Sequence, residues 1–146
     1  MLKLPVDKSL IISFFSICFL VFSNQSTAQS IVGKWNQVTV KQWLTDEGAK
    51  KYGKPFVVTD MSTIGTVVSV FKSNHSFVTT SSNSQGGSRT YSGTWSLDGN
   101  ILTMTDQKAS TSVKSTISEK SGVLIMEILY PDSKTTRKVE LTFKRG

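Results

Sequence analysis

Residues 91–100 read YSGTWSLDGN, and residues 30–38 read SIVGKWNQV. Both stretches place Gly two positions before Trp, as Gly33-Lys34-Trp35 and Gly93-Thr94-Trp95, inside runs that otherwise alternate apolar and polar residues. Such alternation describes a strand with one buried face. Residues i and i+2 of a strand share a face, so each Gly leaves a gap on its own Trp's side of the sheet. Small beside large on one inward face suits the narrowing end of a small barrel. The first stretch also carries Asp98-Gly99-Asn100 between Arg89–Leu97 and Ile101–Asp106. Asp-Gly between alternating apolar residues is a strong hairpin signal.

The same alternation runs along the chain on both sides. It predicts strands over Ile31–Leu44, Ile64–Lys72, Ser76–Ser81, Ser110–Glu119, Val123–Tyr130 and Thr135–Lys144. They are separated by the turn-forming KSNHS at 72–76, by Lys120-Ser121-Gly122 and by Pro131-Asp132-Ser133, with Ser81–Ser88 as a flexible polar connection. Eight strands in consecutive hairpins make an all-β fold, a single eight-stranded antiparallel up-and-down β-barrel. Closing the sheet removes both exposed edges and leaves room inside for side chains or one small ligand. The one long connection is Thr45–Thr63. It is expected to hold a short helix starting at Thr45-Asp46-Glu47 and stopping at Gly53-Lys54-Pro55. A connection of that length is expected to be functional or disordered.

Alternation also assigns the inward rows. Val67, Ser69 and Phe71 share a phase, continued by Phe77 and Thr79, then by Tyr91, Gly93, Trp95 and Leu97. Leu102 and Met104 follow, and Val139, Leu141 and Phe143 close the set. Val123–Tyr130 is apolar in both phases; placing Leu124, Met126, Ile128 and Tyr130 inward turns Glu127 outward. A pocket would then gather Phe71, Phe77, Tyr91, Met104, Met126 and Tyr130, with Val67, Ser69, Thr79 and Ile128 beside them and Thr45–Thr63 near the rim. Aromatic rings supply apolar area and methionines adapt to irregular shapes. The alternative is a core filled by these same side chains.

The first 28 residues stand apart. Lys3 and Lys8 precede an apolar run over Leu10–Phe22, and Ser26-Thr27-Ala28 places small residues for cleavage. That is the layout of a signal peptide, too short in its apolar part to span a bilayer. Residues 29–146 are expected to form one domain, exported to the periplasm or beyond after cleavage behind Ala28. The only cysteine, Cys18, lies in the leader, so the mature chain has no disulfide.

The whole chain carries 17 Lys and Arg against 10 Asp and Glu, a net charge of +7. The excess is spread along the chain without a cluster that would track a groove, which argues against nucleic acid. It fits a solvated basic surface or weak contact with an anionic membrane surface. Catalytic chemistry finds no foothold. His75 is the only histidine and sits in a turn, no Gly-x-Ser-x-Gly elbow exists, and no metal or cofactor motif is present. The stretch GAKKYGK at 48–54 has the Gly-x4-Gly-Lys spacing of a phosphate loop, but Pro55 stands where the motif needs Ser or Thr. It also falls where a helix ends rather than begins, so it reads as a coincidence. Asn74-His75-Ser76 fits a glycosylation sequon for hosts that use it.

An opening Gly33-Lys34-Trp35, a Phe71-turn-Phe77 hairpin, the strand pair Gly93–Leu102 and a closing Leu141-Thr142-Phe143-Lys144-Arg145 together resemble the lipocalin-like domains of small bacterial secreted proteins, a calycin-type barrel. The resemblance covers about residues 30–146. It implies that Lys144 or Arg145 packs over Trp35 at the barrel base, where Gly33, Trp35, Gly93 and Trp95 are structural. The second lipocalin motif, Thr-Asp followed by Tyr, is missing, because Thr105-Asp106 has no Tyr near it. The implied function is binding of a small apolar or amphipathic molecule in the barrel, without cofactor and without catalysis. The alternative is a solid, inhibitor-like barrel that engages an unknown protein partner through Trp43–Asp60.

Overall fold

Asp98 pairs with Ile101 across Gly99-Asn100, and Gly99 turns with φ +58°. A positive φ is cheap only for glycine, which is why the Asp-Gly signal forms a tight hairpin here. The computed structural model describes residues 31–146. The expected leader, residues 1–28, and its cleavage after Ala28 lie outside the described residues.

The strands are β1 (Gly33–Leu44), β2 (Phe56–Asp60), β3 (Gly65–Phe71), β4 (Ser76–Asn83), β5 (Ser88–Asp98), β6 (Ile101–Asp106), β7 (Ser112–Lys120), β8 (Val123–Leu129) and β9 (Thr136–Arg145). A helix, α1 (Asp46–Tyr52), and a 3-10 turn at Met61–Thr63 lie between β1 and β3. The sheet runs β2-β1-β3-β4-β5-β6-β7-β8-β9, and β1 also pairs with β9. All pairings are antiparallel, so β1 and β3 to β9 close an eight-stranded barrel in up-and-down order.

The long connection is ordered and holds more than the expected helix. Thr45 caps α1 by accepting from the Gly48 amide at 3.2 Å, and Gly53 ends it in the left-handed region at φ +68°. Acidic residues sit in its first turn and lysines in its last, as the helix dipole favours. Gly48 lies inside α1, where a Cβ would approach the Thr135 carbonyl to 2.2 Å, so this glycine of the apparent phosphate loop serves close packing. Beyond the helix stands the ninth strand. β2 pairs with the far half of β1, from Thr39↔Asp60 to Trp43↔Phe56, while β3 pairs with the near half, ending at Asn36↔Val68.

That division coincides with a bulge. Gln37 pairs with Phe143 but Thr39 with Thr142, leaving Val38 as the extra residue. A bulge inserts one residue and reverses the phase beyond it. Trp35 and Gln37 therefore face inward with Arg145 and Phe143, whereas Val40 and Gln42 do so further on, opposite Leu141 and Val139. Lys41 and Trp43 turn outward.

The core sits at the end where β1 begins. Trp35, Phe71, Phe77, Trp95, Leu102, Ile117, Leu124, Met126 and Phe143 are all buried there. Fully burying one such apolar side chain stabilises by roughly 1.5–3 kcal/mol.

Candidate functional site

The two Gly-x-Trp triplets build the floor. Trp35 Nε1 donates to the Ile31 carbonyl at 2.7 Å, and Trp95 Nε1 reaches the carbonyls of Ser76 and Lys72 at 3.1 and 3.2 Å. Both indoles therefore bury their rings with their one donor satisfied. Phe71 meets Trp95 edge to face, with centroids 6.0 Å apart, and Phe77 lies beyond it. The glycines make these contacts fit. A Cβ on Gly93 would stand 1.8 Å from the Thr105 carbonyl and 3.0 Å from the Phe77 ring. One on Gly33, whose φ is +135°, would meet the Arg145 guanidinium at 2.9 Å. That guanidinium covers Trp35 at 4.4 Å from the ring centre and donates to the Val32 carbonyl. Of the two basic residues expected over Trp35, Arg145 does it; Lys144 pairs with Asn36 on the outward face and is exposed.

The remaining inward residues rise from this floor in layers. Direct cross-strand partners point to the same side of a sheet. Ser69, Thr79 and Tyr91 therefore form one inward row across β3, β4 and β5, with Ser69 and Thr79 hydrogen-bonded at 2.9 Å. Trp95, Met104 and Val113 form another across β5 to β7, and Ile117, Met126 and Leu141 a third across β7 to β9. Ile128 faces Val139 one step higher, and Glu127 turns outward to a salt bridge with Lys138 at 2.7 Å.

Burial divides the row of expected pocket residues. Phe71, Phe77 and Met126 belong to the sealed core, and Ser69 is buried above them. Val67, Thr79, Met104 and Ile128 are half-buried on the inward face. Tyr91 is 46% exposed although its register turns it inward, and so is Val113 at 47%. At this end of the sheet the inward face thus still meets water at Tyr91 and Val113. Tyr130 lies past the end of β8, where its amide donates to the Arg137 carbonyl, and is exposed. The α1 segment adjoins the same turn, since the Thr45 amide donates to the Thr135 carbonyl.

Three hollows lie around this end of the barrel. One of about 400 Å³ is lined by Ser81, Asn83, Gly87, Ser88, Arg89 and Tyr91. A second, of about 370 Å³, lies between Tyr91, Asp106 and Lys108. The third, about 330 Å³, fills the fork where β1 leaves β3 for β2 and is lined by Gln37, Val38, Met61, Gly65 and Val67 among others. On the outer wall, a groove of about 430 Å³ runs past Trp43, Pro55, Leu129 and Lys138. Beside it Trp43 packs against Phe56 in a tilted contact, ring centres 5.4 Å apart, with Lys41 4.0 Å from the centre of the Trp43 ring.

Sequence reasoning missed Arg89, Val113 and Ser115. The last two share the phase of Ile117, and alternation within β7 could have found them. Arg89 shares the phase of Tyr91, but a charged residue reads as outward unless the register is known.

Among the described residues, no group of three His, Cys, Asp or Glu is placed to hold a metal ion. The Asp60 carboxyl lies below its usual range. Hydrogen bonds from Ser62 hold it low, with a small opposing effect of desolvation.

A lipocalin-like domain model matches residues 31–124. Among solved structures, a lipocalin-like protein from Bacteroides uniformis is similar at 15% identity and TM-score 0.53, over 80% of this chain and 99% of that one. An uncharacterized protein from Bacteroides eggerthii is similar at 13% identity and TM-score 0.51, with the same coverage. No curated protein matches. At these identities the two structures speak for the fold alone, and the fold agrees with the matched model and with the barrel closed by β1 and β9. The chain belongs to the lipocalin-like domain family.

Proposed function

We propose that this protein is an exported binding barrel that takes a small apolar or amphipathic molecule through its open end. The observation that carries this reading is the split interior. The floor is sealed by Trp35, Phe71, Trp95 and Phe143, whereas Tyr91 and Val113 face inward and remain about half exposed. A concave, mostly apolar space with a few polar groups at its edge is how small-molecule sites are built. Val67, Met104, Ile128 and Leu141 would form the wall, and Met126 and Trp95 the floor.

The test is titration with an environment-sensitive neutral dye such as Nile red. Saturable binding near one dye per chain is expected. Ile128→Trp should abolish it while leaving the melting transition intact, because Ile128 stands above the sealed core. Met126→Trp is the poorer choice, since Met126 is already packed among core residues. Binding that never saturates would sink the reading.

A second reading has an observation of its own. The outer wall exposes Leu129 in this groove and Phe56 and Val58 on the adjoining β2, beside Trp43, whose Nε1 is buried with no hydrogen-bond partner among the described residues. Exposed apolar side chains on one wall favour contact with another protein through Trp43–Asp60. Ile128→Trp would leave such a contact untouched.

A further inference from the structure

We infer that β2 is a docking edge for a second copy of this chain, pairing antiparallel with β2 of that copy about a two-fold axis at Val57. The inference gives the outer-wall contact a partner, and it stands whether or not the barrel takes a ligand.

β2 is the one strand with a single neighbour among the described residues, because β1 and β9 close the rest of the sheet. The Leu44 amide donates to the Pro55 carbonyl at 2.9 Å, so Pro55 turns its backbone polar group toward β1. Along a strand these groups alternate sides. Those of Val57 and Thr59 therefore face β1, and those of Phe56 and Val58 face the free edge. A bare edge of this kind is a template for another strand.

Natural edges are often blunted by proline or by charge. Pro55 does not blunt this one, since the donor it lacks would face β1. No charge lies between Lys54 and Asp60. The exposed side chains there include Phe56 and Val58, on the outward face with their cross-strand partners Trp43 and Lys41.

Self-pairing has one register that satisfies every exposed side chain. With Val57 opposite Val57, Lys54 of each copy meets Asp60 of the other, and Phe56 of each meets Val58 of the other. Shifting the register in either direction breaks the charge pairs and sets Lys54 or Asp60 against an apolar side chain. In the matched register the two Phe56–Val58 pairs are the hydrogen-bonded ones, because both residues turn their backbone groups to the edge. Apolar pairs and opposite charges facing each other across strands each stabilise the pairing. The contact is isologous and uses the single free edge of each chain, so assembly stops at two copies.

The test runs in a Cys18→Ser background, where an introduced thiol is the only one. Val57→Cys sets two thiols at the axis, in a non-hydrogen-bonded pair with Cα atoms about 4.5 Å apart, within reach of a disulfide. Val58→Cys sets them diagonally, roughly 7–8 Å apart, beyond that reach. Val58 is the more exposed of the two, so random collision would favour it instead. Under mild oxidation Val57→Cys is expected to yield a disulfide-linked dimer while Val58→Cys stays monomeric. Sedimentation velocity of the Cys18→Ser protein should show a monomer–dimer equilibrium. Lys54→Glu, which puts like charges opposite each other at both ends, should weaken that equilibrium about tenfold.

A protein monomeric at every concentration would overturn the inference and leave the edge to an extended segment of another protein. A dimer that Lys54→Glu leaves unchanged, or that cross-links through Val58→Cys as readily as through Val57→Cys, would place the contact elsewhere and overturn it too. Should Val57→Cys lower the melting transition, the sedimentation arm decides alone. None of these results bears on dye binding, so the ligand reading is judged separately.

Discussion

The guanidinium of Arg145 lies 4.4 Å from the centre of the Trp35 indole, and Gly33, two residues before that indole, has no side chain to block it. The first and last strands meet in this contact, which sits beside the β1–β9 seam that closes the barrel. Trp35→Ala should therefore cost about 3–5 kcal/mol, the range for emptying a buried aromatic site. Arg145→Ala should cost about 0.5–2 kcal/mol, and Lys144→Ala, on the outer face, under about 0.5 kcal/mol. Urea melts of the three variants measure the order. A Trp35→Ala protein as stable as the parent would refute the floor described here.

Gly93→Ala should be more damaging than its single methyl suggests. The added carbon would overlap the Thr105 carbonyl, which is backbone in the neighbouring strand and cannot swing away. Overpacking typically costs about 1–3 kcal/mol, and a clash with a paired strand belongs at or above the top of that range. Gly99→Ala offers the comparison, since a Cβ there meets nothing within 4 Å and only its φ of +58° is strained. Thermal melts should rank Gly93→Ala well below Gly99→Ala.

Asp60 caps the 3-10 turn that carries buried Met61 into the fork between β2 and β3. Its carboxyl is held below the ordinary value of 3.8 by hydrogen bonds from Ser62. A lowered folded value means that the carboxylate's contribution is present above the unfolded value and is lost as pH falls through the folded one. Stability should thus drop in acid below about pH 4, and Asp60→Asn should flatten that part of the profile. Carbon-detected NMR titration of Asp60 gives the shift directly; a value at or above the ordinary one would contradict the cap.

Exported protein should begin at Gln29. The basic start, the short apolar run and Ser26-Thr27-Ala28 all favour cleavage there. Intact mass of secreted or periplasmic material should show the first 28 residues gone. Recovery of the full chain with Met1 in a membrane fraction would count against it.

Much of the barrel was legible because strand alternation is local. Trp95, Leu97, Leu102 and Met104 announce their shared face within a dozen residues, and Asp98-Gly99 supplies the turn that makes them partners. The helix was equally readable, since Thr45, the acidic first turn, the lysines and Gly53 are all local signals. The ninth strand was not seen, although the β-branched run Val57-Val58-Thr59 after Pro55 offered a signal. The caps of α1 drew the whole connection toward a loop reading. The pocket was only half legible: inward phase was correct for Phe71 and Phe77, but depth along the barrel axis decides whether an inward residue is floor or wall.

By itself, then, the chain determined its class, its number of closing strands and the two Gly-x-Trp floor positions, because covalent periodicity and turn chemistry act over a few residues. Only the tertiary structure decided three other matters. The bulge at Val38 turns Trp43 outward, and it falls where β1 passes from pairing with β3 to pairing with β2 while still holding β9. Arg145 rather than Lys144 covers Trp35, since register with a strand from the far end of the chain sets which of two neighbours points inward. Arg89 takes the inward phase of Tyr91 for the same reason: its pairing with Ser81 across the sheet sets it, and no local rule turns a charged residue inward. Pairing between distant segments carries that information, and alternation within one segment cannot.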